Sequence, residues 1–174
     1  MKSYQRTLLV VLVVLTSVGC DQTAKFVAKK ALEFSLPISL LGDFVRLQYV
    51  ENPGILLSIG SDLPEGVRFW LFSVVAGIGS FGIFAYVLLN PKLTPRQVVA
   101  WSLLCSGGLG NLIDRIFRDG IVIDFVSVGI GEFRTAVFNV ADVAVFTGVA
   151  LVILFHSNHP NPTTDTPIDR GGES

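Results

Sequence analysis

Histidine and cysteine are nearly missing from this chain. Its 174 residues hold two of each, His156 and His159 in a polar tail and Cys20 and Cys105 inside apolar runs. That scarcity argues against a histidine general base, a Ser–His or Cys–His nucleophile pair, a structural zinc site and a disulfide framework. Charge is scarce too: Asp, Glu, Lys and Arg make up 16% of the residues, where about a quarter is usual in a soluble domain. Hydrophobic residues fill the gap, at 51% of the chain with a mean hydropathy of +0.62. A net charge of −1 without a basic stripe leaves nucleic acid no electrostatic footing. The composition is that of a membrane protein.

A helix needs about 20 largely apolar residues to cross a bilayer. Four stretches approach this: 7–24, broken only by Asp21; 69–89, free of charge; 97–113, short and glycine-rich; and 135–155, interrupted by Asn139 and Asp142. The turn NPKLTPRQ joins the second to the third as antiparallel neighbours. The expected fold is therefore mainly α, with four transmembrane helices and both termini on one side. In DFVRLQYVEN, Val45, Leu47 and Tyr49 alternate with Arg46 and Gln48, so a strand is predicted in a small extramembrane β platform between helices one and two. GIVIDFVSVGIGEF, between helices three and four, reads as strand or extended loop at the same face. Residues 1–156 form one unit, and 157–174, rich in Pro, Thr and Gly, are expected to be a disordered polar tail. The termini are expected inside, on the strength of the basic leader and against the count of basic residues. Lys2, Arg6, Lys92, Arg96 and Arg170 lie on the face of the termini and the other eight basic residues opposite, against a cytoplasmic N-terminus, whereas the short basic leader favours one.

Carboxylates in membrane helices are functional candidates because insertion costs roughly 2.5 to 3.5 kcal/mol each. In GGLGNLIDR, Asn111, Asp114 and Arg115 share a helix face; in FNVAD, Asn139 and Asp142 repeat the three-residue offset; Asp21 and Lys25 lie one turn apart. Plain structural readings stand beside these. Asp114 with Arg115, and Asp21 with Lys25, can be boundary ion pairs, and Gly107, Gly108 and Gly110 can be small residues that let helices approach. Asp142 has only Asn139 at hand, and Asp124 stands in the apolar IVIDFV. If Asp124 and Asp142 meet, the pair cannot both ionise cheaply, and a singly protonated dyad can activate water and polarise an amide carbonyl.

The order DQTAK, ENPG, GGLGNLIDR, VIDF and FNVAD resembles the lipoprotein signal peptidase family, signal peptidase II, over about residues 7 to 155. The resemblance implies Asp124 and Asp142 as the catalytic pair. It also implies Asp21, Lys25, Asn52, Gly54, Gly108, Asn111, Asp114, Arg115 and Asn139 as residues that bind substrate or support the dyad. It implies no metal or organic cofactor. The implied partners are membrane lipids and diacylglyceryl-modified prolipoproteins cut just before the lipidated cysteine, and the implied location is the bacterial inner membrane with the site near its outer face. A monomer is expected. The chain departs from the family where Gly54 runs into Ile55, Leu56, Leu57 and Ser58 instead of small residues and a phenylalanine. The leader LTSVGC also resembles a lipoprotein's own cleavage site, but Ser17 stands where leucine is usual and Asp21 and Lys25 follow at once, so Cys20 is expected to be an inert, buried thiol of the first helix. The alternative is a non-enzymatic transporter or channel subunit whose buried acids relay ions.

Overall fold

The computed structural model describes residues 1–54 and 62–156. The departure at Ile55 to Ser58 and the tail 157–174 lie outside them. Element order is α1 (Ser3–Leu32), β1 (Ile38–Leu40), β2 (Val45–Asn52), α2 (Glu65–Leu89), α3 (Pro95–Phe117), β3 (Val122–Ile130), β4 (Phe133–Arg134) and α4 (Val140–His156).

α3 begins where its sequence directs. Thr94 caps it, Pro95 occupies the first turn, and Thr94 and Gln97 bond reciprocally, the Gln97 N–H donating to Thr94 Oγ1 (3.3 Å) and the Thr94 N–H to Gln97 Oε1 (2.9 Å). α4 starts later than the hydropathy predicts, at Val140 instead of residue 135. Phe138 is held in extended pairing with β3, exchanging backbone bonds with Val126 (2.8 and 3.0 Å), and Asn139 caps the helix.

The chain pairs the start of α1 with the end of α2. Arg6 donates to the Asn90 carbonyl (2.5 Å), and Val10, Val87, Leu93 and Val98 form a buried cluster there. At the opposite end, residues 21–25 of α1 meet the close of α3 and the first turn of α4. α1 and α3 thus run parallel, with α2 and α4 antiparallel to them. Large apolar side chains, among them Leu8, Leu12, Leu15, Ile78, Phe81 and Ile153, are exposed along the outside of the bundle, as a lipid-facing surface requires. Cys20, expected to be buried, is exposed on α1 as well, because the neighbouring helices meet the face that carries Asp21 and Lys25. α1 and α2 are long and apolar enough to cross a membrane, and the apolar run Val140–Phe155 is shorter.

The four strands form an antiparallel sheet in the order β1-β2-β3-β4. Both segments predicted as extended enter it, so the platform is built from the chain between α3 and α4 as well as that between α1 and α2. β2 and β3 pair from Val45↔Val128 to Asn52↔Val122, with an irregularity between Leu47 and Val50. Asn52 and Asp124 are diagonal neighbours on one face.

Helix contact depends on glycine. A Cβ at Gly107 would press on the Ala141 carbonyl and lie 2.9 Å from the Val145 N. Gly107→Ala is expected to force α3 from α4 and to cost about 1–3 kcal/mol, read as a lower unfolding temperature in detergent. An unchanged temperature would contradict the close approach.

Candidate active site

Residues 21–25 of α1, the close of α3, the first turn of α4 and the strands β2 and β3 converge on a buried polar network. Lys25, fully buried, is its cation. Its Nζ lies 2.8 Å from Asp21 Oδ2 and 2.9 Å from Asp114 Oδ2, and it donates to Asn111 Oδ1 at 3.0 Å. Asp21 also accepts from the Ala141 N–H (2.8 Å), so a carboxylate of α1 satisfies an orphan donor in the first turn of α4. Asp114 accepts from the Ile123 N–H (3.2 Å), which ties the start of β3 to α3 one residue before Asp124.

These anchors orient the amides. Because Lys25 holds Asn111 Oδ1, Asn111 Nδ2 turns to Asp142 Oδ1 (2.9 Å). Asn139 faces two acids at once. Its Nδ2 donates to Asp124 Oδ1 (2.6 Å) and to Asn111 Oδ1 (3.1 Å), while its backbone N–H donates to Asp142 Oδ2 (3.1 Å) and its Oδ1 accepts from the Asp142 N–H (2.9 Å). The last two bonds make a reciprocal cap at the start of α4, the physical meaning of the three-residue offset in FNVAD. Asn52 donates to Asp124 Oδ2 (2.8 Å) and accepts from the Gly54 N–H (2.9 Å); Arg115 donates to the Gly54 carbonyl (2.9 Å).

Asp124 is 2% exposed. Period-two alternation would turn it to water, but Val122, Ile123 and Asp124 are all buried where β3 passes under the bundle. Burial above all, and then the charge of Asp142, raises its carboxyl to about 6 against the bonds from Asn52 and Asn139 that pull it down.

Of the eleven residues singled out in the sequence, ten stand in this connected set. Gly108 does not: it lies against the Ser80 hydroxyl of α2, and its contact is one of packing. Two residues escaped the sequence reading. Gln22 Nε2 donates to Asp21 Oδ2 (3.1 Å), Asp114 Oδ1 (3.0 Å) and the Gly110 carbonyl (3.1 Å). Its signal was present as an uncharged polar residue between the two ions of DQTAK. Arg118 reaches Asp114 Oδ1 at 3.4 Å, one turn on. Among the described residues no three His, Cys, Asp or Glu side chains are grouped to hold a metal ion.

A family model described as signal peptidase (SPase) II matches residues 12–157. The chain belongs to the signal peptidase II family. Relatives carry the same stamp. The protein named lipoprotein signal peptidase from Borrelia hermsii (strain HS1 / DAH) is 35% identical over 150 residues, spanning 83% of this chain and 87% of the relative. The protein of that name from Chlorobaculum parvum (strain DSM 263 / NCIMB 8327) is 32% identical over 161 residues, spanning 87% and 96%. Two solved structures described as bacterial membrane enzymes, obtained by the in meso method, share the fold. The one at 2.3 Å resolution has a TM-score of 0.76 at 24% identity over 89% of this chain and 93% of that one. The one at 1.9 Å has a TM-score of 0.73 at 25% identity over 87% and 94%. As a signal peptidase II family member the chain is a membrane protease.

Proposed function

We propose that Asp124 and Asp142 are the catalytic pair of an aspartic endopeptidase that removes the signal peptide from diacylglyceryl-modified prolipoproteins, cutting just before the lipidated cysteine. The observation that carries this reading is Asn139, whose side-chain amide bonds Asp124 while its backbone bonds Asp142. Few structural needs explain two carboxylates gathered around one buried asparagine. A dyad that shares a proton does.

In the reaction the pair shares one proton; burial raises the Asp124 carboxyl to about 6, so Asp124 serves as the acid and Asp142 as the base. Asp142 takes a proton from water as the water oxygen attacks the scissile carbonyl carbon, and Asp124 gives its proton to the carbonyl oxygen. Collapse of the tetrahedral intermediate breaks the C–N bond; the proton gathered by Asp142 passes to the leaving nitrogen, which becomes the new amino terminus, and Asp124 recovers its own. Asp21, Lys25, Asn111 and Asp114 hold this geometry. Asn52, Gly54 and Arg115 link the platform to it. All four helices cross the inner membrane of a bacterium, termini inside, with the dyad near the outer face.

The test is cleavage by the purified protein in detergent of a diacylglyceryl-modified prolipoprotein peptide beside its unlipidated counterpart. Cutting before the lipidated cysteine, and only there, is the expected result; a folded protein that cuts neither peptide sinks the proposal. The pH dependence follows from the proton count. As pH rises through about 6, Asp124 ionises beside Asp142 and kcat/KM is expected to fall. At acid pH a second proton reaches the pair and kcat/KM falls again. A profile flat on its acid side would count against a shared proton.

A further inference from the structure

β2 and β3 carry the dyad's Asn52 and Asp124 at one end. At the other, about 23 Å away for seven residues of strand, two turns lie side by side: the β1–β2 turn, Leu41 to Phe44, and the β3–β4 turn after Ile130. They are cross-braced. The Gly129 N–H donates to the Phe44 carbonyl (2.9 Å), Arg134 donates to the Asp43 carbonyl (2.7 Å), and the Asp43 carboxylate accepts from Arg46 (2.7 and 2.5 Å) and Ser39 (2.5 Å).

This rigid tip displays grease. Leu41 is 80%, Ile130 76% and Phe133 90% exposed, and Phe44 is close to half exposed. Leu41 is also held at φ +52°, a left-handed conformation in which a leucine's Cβ crowds the following carbonyl oxygen at a cost. No burial inside the molecule offsets that cost. A solvated hairpin would carry Gly, Asn or Asp there.

The neighbourhood says what offsets it. Phe26 and Val27 are exposed on the outer face of α1, and the chain leaving α1 shows Phe34 (96%) and Leu36 (87%) before Ile38 and Leu40 of β1 continue the apolar line to Leu41. Lys30 Nζ lies 5.0 Å over the Phe26 ring, and Arg46 and Arg134 stand directly behind the tip. Apolar residues with charged groups just behind them, here Lys30 and the Asp43 pairs of Arg46 and Arg134, are the pattern of a surface seated at the headgroup level. A second copy of the chain would need a facing groove, and the cavity lined by Glu65, Phe69 and Asp119 lies elsewhere.

We infer that the tip formed by Leu41, Phe44, Ile130 and Phe133 seats in the headgroup–acyl boundary of the bilayer, so that the platform is held by the helix bundle at one end and by lipid at the other. The inference rests on the membrane-spanning reading of the helices. A platform fixed at both ends keeps Asp124 at a set height above the lipid in which an acylated substrate is anchored.

The test is tryptophan placed singly at Leu41, at Phe133 and, in the middle of α2, at Ile78, in the full-length protein reconstituted into phosphatidylcholine vesicles. The emission of the native Trp70 and Trp101 is measured in the parent protein and subtracted. All three positions are exposed, and unfolding temperature checks that each variant folds. Emission added by Leu41→Trp and Phe133→Trp is expected to be lost in lipids brominated near the headgroup end of the chains and to resist aqueous acrylamide; Ile78→Trp is expected to be lost most in lipids brominated further down. If Ile78→Trp behaves so while the other two are quenched by acrylamide alone, the tip stands in water and the inference fails. Emission at 41 and 133 that escapes both quenchers and changes with the protein-to-lipid ratio points to a second copy and equally overturns it. If Ile78→Trp also escapes brominated lipid, the spanning reading itself has failed.

Discussion

Asp124→Asn and Asp142→Asn proteins are each expected to fold and to lose cleavage of the lipidated peptide by roughly a thousandfold or more, to the detection limit of the assay. General acid–base participation is worth roughly 10² to 10⁴ per group, and here each acid serves in both halves of the reaction. The folds should survive for different reasons. In Asp124→Asn the new amide keeps one acceptor for the two amides that face it, Asn52 and Asn139, at a cost of about 1–3 kcal/mol for the donor left facing a donor. Offsetting that, the change removes a buried carboxyl whose ionisation the site resists, as its rise to about 6 records. The sign of this term is definite. A carboxyl raised in the folded state binds its proton more tightly there, so its support for folding is full below the ordinary value of 3.8 and is lost as pH climbs through about 6. Asp124→Asn should therefore compare best with the parent above pH 6. In Asp142→Asn the remaining oxygen can still accept from the Asn139 N–H and keep the cap, but Asn111 cannot turn its amide to suit because Lys25 holds the oxygen. Unfolding temperature, read beside turnover, separates a dead enzyme from an unfolded one. A folded variant of either kind with near-parental turnover would remove that residue from catalysis, and a transport subunit would cut no peptide in any version.

The second large effect is on stability. Lys25→Met is expected to cost about 3–5 kcal/mol, the usual penalty for stripping a buried charge pair of one partner. Two carboxylates, Asp21 at 1% exposure and Asp114 at 0%, would be left facing each other around the vacated cation. Methionine keeps the stem's volume, so the loss is electrostatic and not a cavity. The accompanying double change, Asp21→Asn with Asp114→Asn in the Lys25→Met background, should recover part of the loss by removing the stranded charges. Turnover should not return with it, because Asn111 would no longer be told which way to face. Thermal unfolding and cleavage of the same samples check both. A single Lys25→Met protein that unfolds at the parental temperature would mean the network holds nothing together.

Much of this was legible locally and little of it globally. The alternation of Val45, Leu47 and Tyr49 does mark β2, and the offset of Asn139 and Asp142 does mark a reciprocally capped helix start, because both patterns live within one element. The pairing of Asp21 with Lys25 was readable for the same reason. That Lys25 also binds Asp114, 89 residues on, was not, since helical spacing is silent on which helix lies opposite. Asp124 is the sharpest case. Alternation along β3 offers two faces, and only the bundle lying over the strand's start decides that both are buried. α4 starts later than hydropathy indicates because the apolar run continues through Phe138, which spends its backbone bonds on β3 before the helix can begin. Gly108 was grouped with its motif, although one residue's rotation around α3 carries it to a different neighbour.

That rotation fixes more than one glycine. Within a single turn of α3, Gly107 faces α4, Gly108 faces Ser80 of α2 and Gly110 faces Asp21 of α1. Successive residues on a helix are about 100° apart, so turning α3 by one residue would bring a side chain into close quarters where a hydrogen atom is needed. The helix is keyed to its neighbours as a shaft is keyed to a hub, by notches, and it has one angular setting. Asn111, Asp114 and Arg115 ride on the same shaft, and the direction in which they point is decided by side chains that are not there.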